Sequence, residues 1–157
     1  MKRILIYVMI LAAALLVPVK GNDIGRLRPV QAVMLYKEAQ SVVILTDTQD
    51  KGKGATAQEA LENLKDTTPG IIYLDTARYL LLGESALTEV EQLRSVLKPS
   101  VQVCLAEGAV LREETAAFLK AHGQLPQLKD WKNGMDLPVL TTFEKRLILS
   151  KKSEIST

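Results

Sequence analysis

Cysteine, histidine and tryptophan each occur once in this chain of 157 residues, and aromatic residues make up only 4% of it. A lone cysteine, Cys104, cannot close an internal disulfide, so the fold has to be held by its core. Structural zinc sites draw several ligands from cysteine and histidine, and one of each is too few. Charge of one sign is also missing: 20 basic residues face 18 acidic ones, for a formal net charge of +2. Lys2, Arg3 and Lys20 all precede Asn22, and without them 17 basic residues face 18 acidic ones, a net −1. That near-neutral body lacks the basic footprint of a nucleic-acid binder. No G-x-S-x-G nucleophile motif and no G-x-x-x-x-G-K-[ST] phosphate loop occurs.

What is present suits a packed domain. The hydrophobic fraction is 47% and the charged fraction 24%, ordinary for a globular chain, and the length is that of one domain. Residues 1–21 read as an export signal or a short N-terminal membrane anchor. Lys2 and Arg3 form a positive head, Ile4 to Val19 is an uncharged apolar run, and Gly21 offers a cleavage point. As a helix that run spans about 24 Å at ~1.5 Å per residue, short of a ~30 Å hydrocarbon core. Both readings put residues 22–150, a single mixed α/β domain, outside the cytoplasmic membrane. Residues 151–157 form a polar tail.

After a polar connector from Asn22 to Arg28, Val30 to Lys37 and Ser41 to Thr48 read as an antiparallel hairpin, the second strand rich in β-branched residues. Gln49 to Gly54 reads as a loop. Thr56 and Glu59 have capping-box spacing, and Ala57, Ala60, Leu61 and Leu64 give a helix to about Lys65, ended by Pro69. Ile71 to Leu74 and Tyr79 to Leu82 are short apolar strands. Thr88 and Glu91 form a second capping box, opening a helix that stops before Pro99. The alternation of Val101, Val103 and Leu105 marks another strand. Glu113 to His122 is a third helix with Gly123 as its C-terminal cap, and Gln124 to Pro138 is a long loop. Val139 to Phe143 and Arg146 to Ser150 make a last hairpin across Glu144-Lys145. The expected fold is α/β (α+β): a mixed sheet with an N-terminal antiparallel hairpin and about three packed helices. Its core should hold Val33, Leu35, Val43, Leu61, Leu64, Ile72, Leu93, Val103 and Phe118.

Residues that could carry chemistry are few. Cys104 reads as a small buried hydrophobe and His122 as a helix-end residue. Asp47, Asp50, Asp66, Asp75, Glu84 and Glu107 fall at the ends of elements, where an acidic site could assemble, and Asp47 and Glu107 lie near strand ends. Gly52-Lys53-Gly54 precedes a helix start but lacks the rest of a phosphate loop. Glu113-Glu114 complements the dipole of the third helix. Trp131, flanked by Asp130 and Lys132, is either a lid over a core edge or an interface anchor. No catalytic, cofactor or metal residue is assigned.

The middle of the chain resembles a known family. Gly54-Ala55-Thr56-Ala57-Gln58-Glu59-Ala60-Leu61-Glu62-Asn63-Leu64 is similar to the G-x-[ST]-hydrophobic-x-E-A-hydrophobic-x-x-L helix of the Ger(x)C family, the C subunits of spore germinant receptors. Gly70-Ile71-Ile72-Tyr73-Leu74, Tyr79 to Leu87 and Val101 to Gly108 resemble its following strands, and the match runs in order from about Val30 to His122. The lipobox cysteine and the later domains of those subunits are not matched. The resemblance implies a non-enzymatic first domain at the membrane or spore envelope that binds a protein partner, and it brings no catalytic residues and no cofactor. The alternative is a small secreted hydrolase or ligand-binding protein using carboxylates at strand ends. A concave pocket with converging Asp47, Asp75 or Glu107 favours the alternative, and a flat surface with an exposed apolar patch near Trp131 favours the first reading.

Overall fold

The computed structural model describes residues 27–108 and 111–151. The leader read at 1–21 and the tail beyond Lys151 lie outside those residues. Strands β2 (Ala32–Glu38) and β3 (Ser41–Thr46) form the opening hairpin, turning at Ala39 with φ 55°. Strand β4 (Lys51–Gly54) pairs antiparallel to β3. On the other side of β2, strands β6 (Tyr79–Leu82), β7 (Gln102–Ala106) and β8 (Val139–Phe143) add in parallel. The hairpin from β8 to β9 (Arg146–Ser150) completes a seven-stranded mixed sheet of order β4-β3-β2-β6-β7-β8-β9. Strands β1 (Leu27–Pro29) and β5 (Ile71–Tyr73) form a separate two-stranded parallel ladder. Helices α1 (Ala57–Thr67), α2 (Val90–Leu93) and α3 (Thr115–His122) complete the mixed α/β fold expected.

Parallel strands are buried on both faces, so they read as unbroken apolar runs. All four residues of β6 are buried, which is why its sequence shows no alternation. The two sides of the pleat nevertheless feed two cores. Val33, Leu35, Ile44, Leu80, Leu82, Val103, Leu105 and Val139 point to one face, where α1, α2, Trp131 and Leu137 close over them. Ala32, Met34, Leu81, Cys104, Ala106 and Leu140 point to the other, beneath Ala116 and Leu119 of α3. Eight of the nine expected core residues are buried. Phe118 is half-buried at the margin of the second core and stacks on His122, ring centroids 4.4 Å apart.

The Thr56 capping box forms. Thr56 Oγ1 accepts from the Glu59 N–H at 3.2 Å, and Glu59 Oε2 accepts from the Ala55 N–H at 2.9 Å, one residue before the cap. Helix α1 buries Ala57, Ala60, Leu61 and Leu64 and ends where Thr68, ahead of Pro69, turns extended.

Several expectations need correction. Gln49 to Gly54 is not all loop, because Lys51–Gly54 is the edge strand β4. Its glycines let α1 lie against the strand backbone: a Cβ on Gly52 would stand 2.1 Å from the Ala60 carbonyl oxygen, and one on Gly54 2.5 Å from the Ala60 nitrogen. The connector expected from Asn22 overlaps β1 at Leu27 and Arg28. The second capping box does not form. Glu84–Glu89 is a 3-10 helix leading into the single α-turn of α2, which has no side-chain cap at its start. The second hairpin strand stops at Thr46, since Asp47 and Thr48 turn the chain toward β4. Gly123 caps α3 through its N–H to Leu119 O at 2.8 Å, in an extended rather than left-handed conformation. The β8–β9 hairpin forms as expected, with Glu144 and Lys145 both at positive φ, 46° and 67°.

Candidate functional site: a cleft beneath α3

Helix α3 covers its face of the sheet only in part. Between it and the amino-terminal ends of β2 and β6 lies a cleft of about 1010 Å³. The sheet order builds it from distant segments. Gln31 precedes β2, Asp47 to Gln49 form the turn after β3, Arg78 precedes β6 and Tyr79 opens it, and Arg112 and Glu113, just before α3, form the far wall with Ala116 and Lys120 of the helix. Beside it, sharing Gln49 and Leu111, an apolar trough of about 430 Å³ runs over Met34, Tyr36 and Leu45. A polar cavity of about 510 Å³ lies on the other side of Arg78 and Tyr79, lined also by Asp75, Lys98 and Gln102. Gln102 Oε1 is buried without a hydrogen-bond partner among the described residues.

Charges in the cleft are mixed. Arg112 Nη1 donates to the Lys145 carbonyl at 3.1 Å and lies 3.8 Å from Glu114. Arg78 and Lys120 are exposed and form no ion pair among the described residues. Asp47 accepts from the Gln31 N–H at 3.1 and 3.3 Å, and its own N–H donates to Ala32 O at 3.0 Å. Half-burial of its carboxylate raises the pKa above the usual value, desolvation outweighing those backbone N–H bonds. Burial likewise pushes the Tyr79 phenol up. The neighbouring Asp50 is held by Arg28 Nη1 at 2.7 Å and Thr48 Oγ1 at 2.6 Å, which pins the β3–β4 turn.

The carboxylates singled out in the sequence do not converge. Asp47 lines the cleft and Asp75 the adjoining cavity, both at the amino ends of the parallel strands. Glu107 follows β7 at the carboxyl ends, where its N–H donates to Leu140 O. Both Asp47 and Glu107 lie near strand ends, but β3 runs antiparallel to the central strands and delivers Asp47 to the side of the sheet opposite Glu107. Asp66 and Glu84 are exposed, away from the cleft. Among the described residues no group of three or more His, Cys, Asp or Glu is placed to hold a metal ion.

The other candidates are engaged in structure. Cys104 is fully buried and its pKa is pushed up to about 12, so its thiol is inert at neutral pH. His122 Nδ1 donates to Phe118 O at 3.0 Å. Trp131 is only 4% exposed and sits in the first core, the position that the lid reading gives it. Arg94 holds it there: Nη2 donates to the Trp131 carbonyl at 2.7 Å, and the guanidinium carbon lies 5.5 Å from the ring centroid. Asp130 and Lys132 stay exposed on either side. Sequence reasoning missed Gln31, Arg78, Arg112 and Lys120. Only the lack of an i,i+4 partner for Lys120 on its helix could have marked one of them, a weak signal.

The chain matches no protein-family model, no curated protein and no solved structure. Among the described residues no helix is long and apolar enough to cross a membrane.

Proposed function

We propose that this chain is an exported, non-catalytic binding domain, similar to the first domain of germinant-receptor C subunits, that acts at the membrane or spore envelope through the cleft beneath α3. The cleft is the observation that carries the reading: a concavity of about 1010 Å³ with Arg78 and Lys120, exposed and without an ion pair among the described residues, on its rim and an apolar trough beside it. Its one recessed carboxylate, Asp47, is tied to backbone N–H groups, which suits a shaped wall better than a general base. Trp131 is buried in the first core, and the proposal puts the partner contact in the cleft. A free ligand, or a segment of a partner protein at the envelope, would meet the same cationic rim. The family part of the proposal draws on order: the resembling segments lie on α1, β5, β6 and β7 in succession.

The test uses the full-length chain in the producing bacterium, deleted for its own copy. Arg78→Glu with Lys120→Glu should abolish rescue of the deletion phenotype while leaving the level of folded protein unchanged. Lys65→Glu with Lys129→Glu, on exposed sites outside the cleft, should rescue fully. Full rescue by the cleft variant would overturn the proposal. Export is checked separately, with residues 1–21 fused to a reporter active only outside the cytoplasm, and activity equal to a leaderless control would contradict it. Turnover of a substrate that depends on Asp47 would contradict the non-catalytic reading.

A further inference from the structure

We propose that the cleft and its adjoining trough together bind a single-chain anionic amphiphile of the fatty-acid class, an inference that rests on the cleft being the binding surface. The cleft and trough are continuous through Gln49 and Leu111, so one occupant can reach both. Met34 and Tyr36 lie on the same side of β2, two residues apart, and with Leu45 of the neighbouring strand they floor the trough with apolar surface. A cavity of about 430 Å³ lined in this way favours a hydrocarbon body.

The polar end has a sign. Arg78 and Lys120 are the cations at the cleft with no ion pair among the described residues, while Arg112 is engaged by Lys145 and Glu114. On the acidic side Asp47, which accepts from the Gln31 N–H, and Glu113, exposed just before α3, are the competing anions, against Arg78, Arg112 and Lys120 in the same lining. A carboxylate head between Arg78 and Lys120 would gain charge-assisted hydrogen bonds that a neutral head would not. From Gln31, beside the cations, to Tyr36, at the far end of the trough, β2 covers about 16 Å at ~3.3 Å per residue. That reach suits a chain of roughly ten to twelve carbons, whose apolar burial supplies most of the affinity.

The experiment exposes membranes carrying the full-length chain to decanoic acid with a diazirine at its terminal carbon, irradiates them, and maps the adducts by mass spectrometry. Adducts should fall on the peptides holding Met34, Tyr36, Leu45 or Leu111, and excess decanoate should compete them away at least ten-fold better than excess decanol. Arg78→Glu with Lys120→Glu, or Leu45→Phe to fill the trough, should each cut labelling about ten-fold at equal amounts of protease-resistant protein. Competition by decanol as effective as by decanoate would overturn the anionic head, as would full labelling of the charge variant. Labelling of the cleft by a short diazirine carboxylate, with no gain from a longer chain, would overturn the amphiphile and leave the cleft standing as a binding surface. If neither probe labels cleft or trough, the amphiphile proposal fails, and the rescue experiment alone decides whether the cleft is a binding surface.

Discussion

The two faces of the sheet are made by alternate residues of the same strands, yet they are finished differently. On the first, α1, the 3-10 turn leading into α2, and the Gln124–Pro138 segment with Trp131 close over one continuous core. On the second, the eight residues of α3 cover β6 and β7 but leave Met34, Tyr36 and Leu45 lining an open trough. Neighbouring residues therefore do different work. Leu35 is fully buried in the closed core, whereas Met34, one residue earlier, borders a cavity. A small domain can thus place stability on one face of a sheet and leave the other partly unfilled for a ligand.

Breaking the closed face should cost the most. Trp131→Ala removes a buried ring that is also held by Arg94, and the expected loss is about 3–5 kcal/mol. Chemical denaturation of the variant measures it, and amphiphile labelling per folded molecule should stay the same. A loss within about 0.5 kcal/mol, the usual range for a surface site, would return Trp131 to the interface role.

Gly52→Ala comes next, because its new Cβ meets the Ala60 carbonyl of α1 at 2.1 Å, and backbone cannot swing aside as a side chain does. Overpacking of this kind costs about 1–3 kcal/mol, read as a lower denaturation midpoint. An unchanged midpoint would mean that α1 does not lie against β4.

The smallest effect belongs to the open face. Burial raises the Asp47 pKa in the fold, so the unfolded chain releases that proton first. The contribution of Asp47 to stability is then fullest below its ordinary value of 3.8 and falls as pH rises through the higher folded-state value. Asp47→Asn should match the parent at pH 3 and gain on it at pH 7, within about 0.5 kcal/mol because the site is half open. A gain at pH 3 that disappears at pH 7 would reverse the sign and refute the burial account.

What could be read from the sequence was local. Thr56 and Glu59 cap α1 across three residues, and the alternation of Val101, Val103 and Leu105 needs only the pleat. The strand β4 escaped because Lys-Gly-Lys-Gly has poor strand propensity, and the reason for its glycines lies in α1, whose packing is a tertiary fact. Trp131 offered two destinations, and the contact that ties it to the core comes from Arg94, 37 positions away. The cleft was the least legible of all. Gln31, Asp47, Arg78 and Lys120 share no local pattern, and only the order of strands in the sheet brings them together.

The most direct measurement pairs Leu35→Ala with Met34→Ala, adjacent residues on one strand that face the two sides. Chemical denaturation should show Leu35→Ala losing about 2–5 kcal/mol, with no change in diazirine-decanoate labelling per folded molecule. Met34→Ala should lose at least 1 kcal/mol less than Leu35→Ala, because Met34, though buried, borders the trough and not closed core, and should change the labelling of the trough. Equal losses in the two variants, with trough labelling untouched by Met34→Ala, would contradict the division of the sheet into a closed stabilising face and an open binding face.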